Sequence, residues 1–442
     1  MFFSGTKIAA ICAALCAPAA VSALDAAPQA GAGNAVAPEY MAGADSAAAR
    51  AKSASHAKFY IDEKPVRPDG KSLKALLMPS TMDGELDAWF RMPRNALAHI
   101  TTIKKARFGE KFSLFPMIEN AAVKDGKFSL KYSITAVAPD GAELDIVENA
   151  AFGGSKPSKA AAVVCPDIID LRFDKRYQGG RYVFRLSVSD EISGEKTSGE
   201  SAVELEAWNP PEPVKGADVL DSMFRTFHTK PSADLLYAMF FSRDLDFEDA
   251  RSPYRLNFTI LGFFKAGFLK YDFLMEEIMA NFAKFDSADR NKIILISRAV
   301  GKPPILDSLL SPEEQKYQKS LFAAEIPNPY EEWHNMLAPV QIDMLWGEFY
   351  ATGAYKPLRR IMNPLMNAKE AQFMLGVKAS KKRPERKDFN KFTMGAIHVI
   401  ALKSILQNAA ACDLADQYCV WAIENGDLPA ESQKTLEPYF KQ

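Results

Sequence analysis

The segment SRDLDFEDARS places Asp244, Asp246, Glu248 and Asp249 close together, and carboxylate oxygens are what calcium takes as ligands. An EF-hand loop starting at Asp244 would need glycine at its sixth position and an acid at its twelfth, where this chain has Asp249 and Arg255. The segment therefore reads as an acidic loop ahead of a helix. His56, His99, His228, His334 and His398 are scattered, and none falls in a HExxH or comparable ligand spacing. No metal and no cofactor is expected. GxSxG, Walker and dinucleotide fingerprints are absent, and FGGSKPSKA lacks both the GK[ST] ending and a strand-to-helix setting. Two acids can still converge from distant positions, as they do in glycosidases, and Glu276, Glu277, Glu331, Glu332 and Glu348 are the ones to test. No residue is assigned a catalytic role.

Binding chemistry has more candidates. Trp346 and Tyr350, with Phe263 and Phe264, could line a concave aromatic surface for a peptide or glycan; packed inward, the same spacing is a core stripe. Arg359 and Arg360 have the planar fork that grips a carboxylate or phosphate, or they stand solvated on a short helix. The ligand-binding candidates are thus Trp346, Tyr350, Arg359 and Arg360. KASKKRPERKD gathers Lys378, Lys381, Lys382, Arg383, Arg386 and Lys387 around Pro384, which bars a continuous helix. A basic loop over 378–387 can contact an anionic surface or simply be solvated.

These side chains are carried by a chain of 442 residues with 54 basic and 55 acidic groups and 48% hydrophobic residues, enough for two or three cores. A net charge of -1 argues against nucleic acid as a partner. Lys7, an apolar run from Ile8 to Ala20 and Val21-Ser22-Ala23 read as a signal peptide over 1–23, either cleaved after Ala23 or kept as an anchor. Leu15 precedes Cys16 and Ile11 precedes Cys12, so neither cysteine has the small neighbour that lipidation requires. The expected location is the periplasm or outside the cell. Beyond the leader stand Cys165, Cys412 and Cys419, too few for a disulfide framework. On one helix the last two would be about 10.5 Å apart, so they can bridge only if the helix breaks near Asp413.

Composition and periodicity divide the rest. Residues 24–58 are rich in Ala, Gly, Pro and Ser, an expected disordered tether. A β-sandwich domain with an N-terminal extension is expected over 59–208. In KFSLKYSITA, Phe128, Leu130, Tyr132, Ile134 and Ala136 share one face, and Tyr182, Phe184, Leu186 and Val188 repeat the pattern before a Gly/Ser loop and a return through Val203, Leu205 and Ala207. With Phe112–Ile118, Ala142–Val147 and Ile168–Phe173 the reading is six short antiparallel strands. Gly180 to Gly194, reading Gly-x-Tyr-x-Phe-x-Leu-x-Val-x-Asp and then Ser-Gly, resembles the last strands of bacterial immunoglobulin-like domains, without the Cys…Trp…Cys core of antibody-type domains. That resemblance implies a spacer or adhesion module.

Asn209-Pro210-Pro211-Glu212-Pro213 marks a linker over 209–216, and an all-α domain of eight to eleven helices is expected over 217–442. Helices are read at Asp234–Phe241, Phe258–Phe282, Arg290–Val300, Pro312–Ala324 and Phe392–Gln407. In IDMLWGEFYATGAYKPLRRIMNPLM, Gly353 is the left-handed stop after a helix that Pro339 can open, Pro357 can open the next, and Pro364 breaks it. A shift of 86 residues superposes Phe263, Phe264, Gly267 and Lys270 on Phe349, Tyr350, Gly353 and Lys356. The pattern looks like a degenerate helical-hairpin repeat, similar to tetratricopeptide or other α-solenoid units, which implies either an irregular solenoid or, failing that, a compact bundle. The fold class expected is multidomain α+β, an immunoglobulin-like antiparallel sandwich followed by helical hairpins. The expected function is a non-catalytic, exported cell-envelope scaffold that binds a protein or cell-wall polymer; the alternative is an envelope hydrolase acting on glycan or peptide through a carboxylate pair.

Overall fold

A computed structural model describes residues 71–81, 91, 102–156, 162–165, 169–249, 256–331, 338–380 and 383–440. The leader and tether expected over 1–58 lie outside the described residues. The fold is mixed α+β, about 48% helix and 22% strand, and its sheets do not close. Nine strands are described: β1 (Lys74–Ser80), β2 (Lys105–Arg107), β3 (Lys111–Glu119), β4 (Lys127–Val137), β5 (Glu143–Ser155), β6 (Val163–Val164), β7 (Ile169–Arg172), β8 (Gly180–Asp190) and β9 (Lys196–Glu206). In one sheet β3 pairs antiparallel with β1, β6 and β7. The other runs β2-β9-β8-β4-β5, antiparallel except for the β2–β9 pair.

Alternation decides which faces meet. Phe128, Leu130, Tyr132 and Ile134 of β4 join Tyr182, Phe184, Leu186 and Val188 of β8 in a core completed from the other sheet by Leu114 and Ile118 of β3. The two sheets thus face each other across shared apolar side chains. A Cβ on Gly199 would lie 2.2 Å from the Ala75 carbonyl oxygen, so glycine is what lets β9 approach β1 this closely. Three strands, β1, β2 and β6, were not expected from the sequence.

Every described strand ends by Glu206, and every described α-helix starts at Ala217 or later. The helices are α1 (Ala217–Thr226), α2 (Ala233–Phe240), α3 (Phe258–Lys270), α4 (Asp272–Ala280), α5 (Ser287–Ala299), α6 (Pro312–Ala323), α7 (Pro339–Thr352), α8 (Tyr355–Met362), α9 (Ala368–Ala379), α10 (Phe389–Ala409), α11 (Asp413–Glu424) and α12 (Ala430–Phe440). Apolar residues on α1 to α5 build an aromatic-rich core that takes Met344 and Ala351 from α7. A second core unites α8, α10, α11 and α12 with Ile342, Leu345, Trp346 and Phe349, also of α7. Helix α7 is therefore a wall shared by two cores, apolar on both sides.

The hairpin runs as its sequence predicts at its stop and its end. Gly353 closes α7 at φ 64° with its N–H on the Phe349 carbonyl at 2.7 Å, and α8 gives way to a 3-10 turn at Asn363–Met366, where Pro364 sits. Other expectations are corrected. Helix α8 opens at Tyr355, with Pro357 inside its first turn. The expected helix over Phe258–Phe282 divides at Tyr271, which ends α3 and starts α4. Gly267 is not the counterpart of Gly353: it lies inside α3, where a Cβ would meet the Leu236 side chain at 2.6 Å. The two segments matched by the shift pack against each other, Gly262 of α3 and Gly347 of α7 each lying where a Cβ would come within 2.3 Å of the opposite backbone. In a solenoid, repeats meet only their neighbours in sequence, and α4, α5 and α6 intervene here. Cys165, Cys412 and Cys419 are buried free thiols. Cys412 caps α11 and Cys419 lies within it.

Candidate functional site

Two polar clusters stand out against this apolar framework. The first lies where the sheets meet the helices. Arg107, on β2, pairs with Glu206 of β9 at 2.6 Å and with Asp234 of α2 at 3.0 Å, while the Trp208 indole N–H donates to the other Asp234 oxygen at 3.0 Å. Glu110 accepts from the Arg107 amide at 2.8 Å and is 7% exposed. Burial pushes its carboxyl up to about 7, against the pull of Arg107, and Asp234 adds to the rise. Arg107, Glu110 and Asp234, with Lys104, Lys105 and the start of α2, line a cleft of about 320 Å³. Around it, Arg172 pairs with Asp272 at 2.9 Å and Glu276 at 3.7 Å, and Lys175 with Glu277 at 2.8 Å. Gly109, at φ 84°, sits where a Cβ would touch Phe273 of α4 at 3.0 Å, and Trp208 meets the same ring edge-on at 6.3 Å.

The second cluster is set between helices. The Tyr330 hydroxyl donates to Glu348 of α7 at 2.5 Å, and the Lys356 ammonium stands 4.4 Å over the Tyr330 ring. Burial raises the Glu348 carboxyl, opposed by the Tyr330 hydrogen bond, Lys356 and Lys265. Burial likewise lowers the Lys265 ammonium, with Glu348 opposing, and burial followed by Glu348 raises the Tyr330 phenol. Burial thus acts on both members in the same sense, disfavouring the charged form of the Glu348 acid and of the Lys265 ammonium.

The sequence candidates are distributed over several places in the fold. Trp346 is 4% exposed, and Phe263 and Phe264 are wholly within the helical core. Tyr350 is half-buried with its hydroxyl donating to Asn408 at 2.5 Å. Trp346 and Tyr350 are neighbours, ring centroids 6.1 Å apart, on a packed face. Arg359 pairs with Asp427 at 3.4 Å and also donates to Asn363, and the charge of Arg360 is felt at Tyr330. Of the five acids, Glu276 and Glu277 belong to the junction, Glu331 accepts from Asn328 at 2.9 Å, Glu348 joins Tyr330, and Glu332 lies outside the described residues, as does His334. Asp244 accepts from the Gly216 amide at 2.7 Å. Among the described residues no three His, Cys, Asp or Glu side chains are grouped to hold a metal. Cys412 Sγ lies 3.8 Å from His228 Nε2; burial pushes the thiol up to about 11 and the imidazole down to about 4, the opposite of an activated pair. Glu110, Lys265 and Tyr330 were not singled out from sequence, since no spacing links Glu110 to Asp234 or Tyr330 to Lys265.

The chain matches no family model, and no curated protein is similar to it in sequence. Among solved structures, the alkylpurine DNA glycosylase AlkC of Pseudomonas fluorescens is similar at 20% identity over 31% of this chain and 31% of that one, with a TM-score of 0.19. A family 123 glycoside hydrolase from Clostridium perfringens is similar at 10% identity over 55% and 47% of the two chains, TM-score 0.22. A β-glucosidase from Listeria innocua is similar at 14% identity over 34% and 19%, TM-score 0.17. The chain covers less than half the length of each. Scores this low do not define a shared fold.

Proposed function

We propose that the protein is a non-catalytic scaffold of the cell envelope, exported by its 1–23 leader to the periplasm or beyond. In this reading residues 59–208 are an immunoglobulin-like sandwich that serves as spacer or docking module, 209–216 a linker, and 217–442 an all-α hairpin domain that binds an envelope protein or cell-wall polymer. The observation that carries it is the use to which the best-placed acids are put. Glu276 and Glu277, first in line for a carboxylate pair, are held in ion pairs with Arg172 and Lys175 that tie strands to helices. Acids engaged with basic partners in this way are not left free to form a carboxylate pair, which favours a binding role over hydrolysis. In-cell cross-linking of the tagged protein, followed by mass spectrometry, tests the reading. A reproducible envelope partner attached through the helical residues supports it, and recovery of the chain alone counts against it.

The Glu348–Tyr330–Lys265 cluster favours a second reading, an envelope hydrolase in which Glu348 is the proton donor. Turnover of cell-wall fragments by the wild type, lost in Glu348→Gln, would establish it; equal inactivity of both would remove it.

A further inference from the structure

Helix α9 is odd on its outward side. Met374 and Ala371 point into the contact with α10, where Met374, Phe392 and Ala396 form a small core. Gln372, Leu375, Gly376 and Ala379 are exposed, Leu375 at 46%. A Cβ on Gly376 would meet nothing within 4 Å. Glycine inside a helix costs about 1 kcal/mol against alanine, and at Gly376 no packing among the described residues uses it. Among the described residues nothing packs on Gly376, and Leu375 and Ala379 beside it are exposed.

Cations frame this side. Lys369 and Lys378 stand on α9; Arg386 and Lys387 follow in the 3-10 turn Arg386–Asp388, and Lys391 lies in the first turn of α10 with its ammonium 4.4 Å over the Phe373 ring of α9. All five are exposed, and Phe389, 37% exposed, sits among them. The acids nearby are Glu370, Glu385 and Asp388, of which Glu385 pairs with Lys387 at 2.9 Å. In a chain of net charge -1 this is a local positive excess with apolar tips between the charges. No described helix is long and apolar enough to cross a membrane, so attraction to lipid through this face would be peripheral.

We infer that the α9 face, with the turn at Arg386–Asp388 and the start of α10, docks on an anionic phospholipid surface, Lys369, Lys378, Arg386, Lys387 and Lys391 reaching headgroup phosphates while Leu375 and Phe389 enter the interface. Charge complementarity selects this occupant: a bilayer with anionic lipid offers a plane of negative charge and an apolar layer just beneath it. Gly376 lets the helix backbone lie close to that plane. Lys378, Arg386 and Lys387 of this face belong to the basic segment read from the sequence, and the inference stands apart from the scaffold reading.

Sedimentation of the full chain with vesicles of phosphatidylglycerol in phosphatidylcholine tests it. Binding is expected to these vesicles and not to phosphatidylcholine alone, and to fall as salt rises. Each cation removed costs about fivefold in partition, so Lys378→Gln/Arg386→Gln/Lys387→Gln loses about 100-fold. Leu375→Asp weakens binding with unchanged circular dichroism. Absence of binding to anionic vesicles, equal binding to both vesicle types, or binding only to a soluble polyanion such as heparin overturns the inference. Because no envelope protein is present, failure of the scaffold reading cannot mimic any of these results.

Discussion

Replacing Gly347 by alanine probes a close helix crossing, that of α3 on α7. The added Cβ would lie 2.1 Å from the Thr259 carbonyl oxygen and 2.5 Å from the Phe263 amide nitrogen, both main-chain atoms of α3 that no side-chain rotation can move. Helices α3 and α7 must part by about 1 Å to relieve this, and a close-packed interior absorbs such a shift poorly. Gaps of 0.5–1 Å forfeit about a quarter to a half of each dispersion contact they open. Overpacking costs about 3 kcal/mol at a site walled by backbone, and the better helix propensity of alanine returns about 1. A net loss of about 2 kcal/mol lowers the midpoint of thermal unfolding by about 4–8 °C for a unit of this size. The assay is a thermal melt followed by circular dichroism at helical wavelengths, with Gly376→Ala as the control, since open space there predicts a rise of about 1–4 °C. If Gly347→Ala melts at or above the wild-type temperature, the packing of α3 on α7 described above is refuted.

Three further outcomes are expected. Glu110 has a folded pKa of about 7 against 4.5 for the free group, so its contribution is complete below pH 4.5 and is lost as pH rises through 7; Glu110→Gln should therefore gain up to about 3 kcal/mol over wild type between acid and neutral pH in urea titrations, and a pH-independent difference sinks the assignment. His228, held down to about 4 from 6.5, works in the opposite sense, and His228→Gln should flatten the loss of stability as pH falls from 6.5 to 4. Buried thiols at Cys165, Cys412 and Cys419 should resist an aromatic disulfide reagent in the native state and titrate fully in urea, whereas rapid native labelling would contradict their burial.

One-sided burial accounts for part of what the sequence displayed, although β3 was read despite burying eight consecutive residues. Strands β4 and β8 bury alternate residues, and both were legible. Strand β1 was not, because four consecutive residues from Leu77 to Ser80 are buried, so no alternation survives. Helix α7 was legible from its stop signal at Gly353, but the break at Tyr271 carries neither glycine nor proline and left no trace. The resemblance between 258–270 and 339–352 was in side-chain types, whereas the structure uses Gly262 and Gly347 for the crossing and gives Gly267 and Gly353 different roles. The junction was illegible for a simpler reason. Arg107 and Asp234 are 127 residues apart, and only folding brings them within 3.0 Å.

Because α7 closes two cores at once, it dictates an order of assembly. A chain that emerges from its N-terminus presents α1 to α5 long before Met344 and Ala351 arrive, and until then the phenylalanines of those helices have an unfilled side. Those aromatics stay open to misassociation for as long as it takes some seventy residues to follow Lys284. Truncation before Pro339 should therefore yield an aggregating fragment, and a cut after Ala379, which shuts the first core, should still bare the Leu345–Phe349 side of α7.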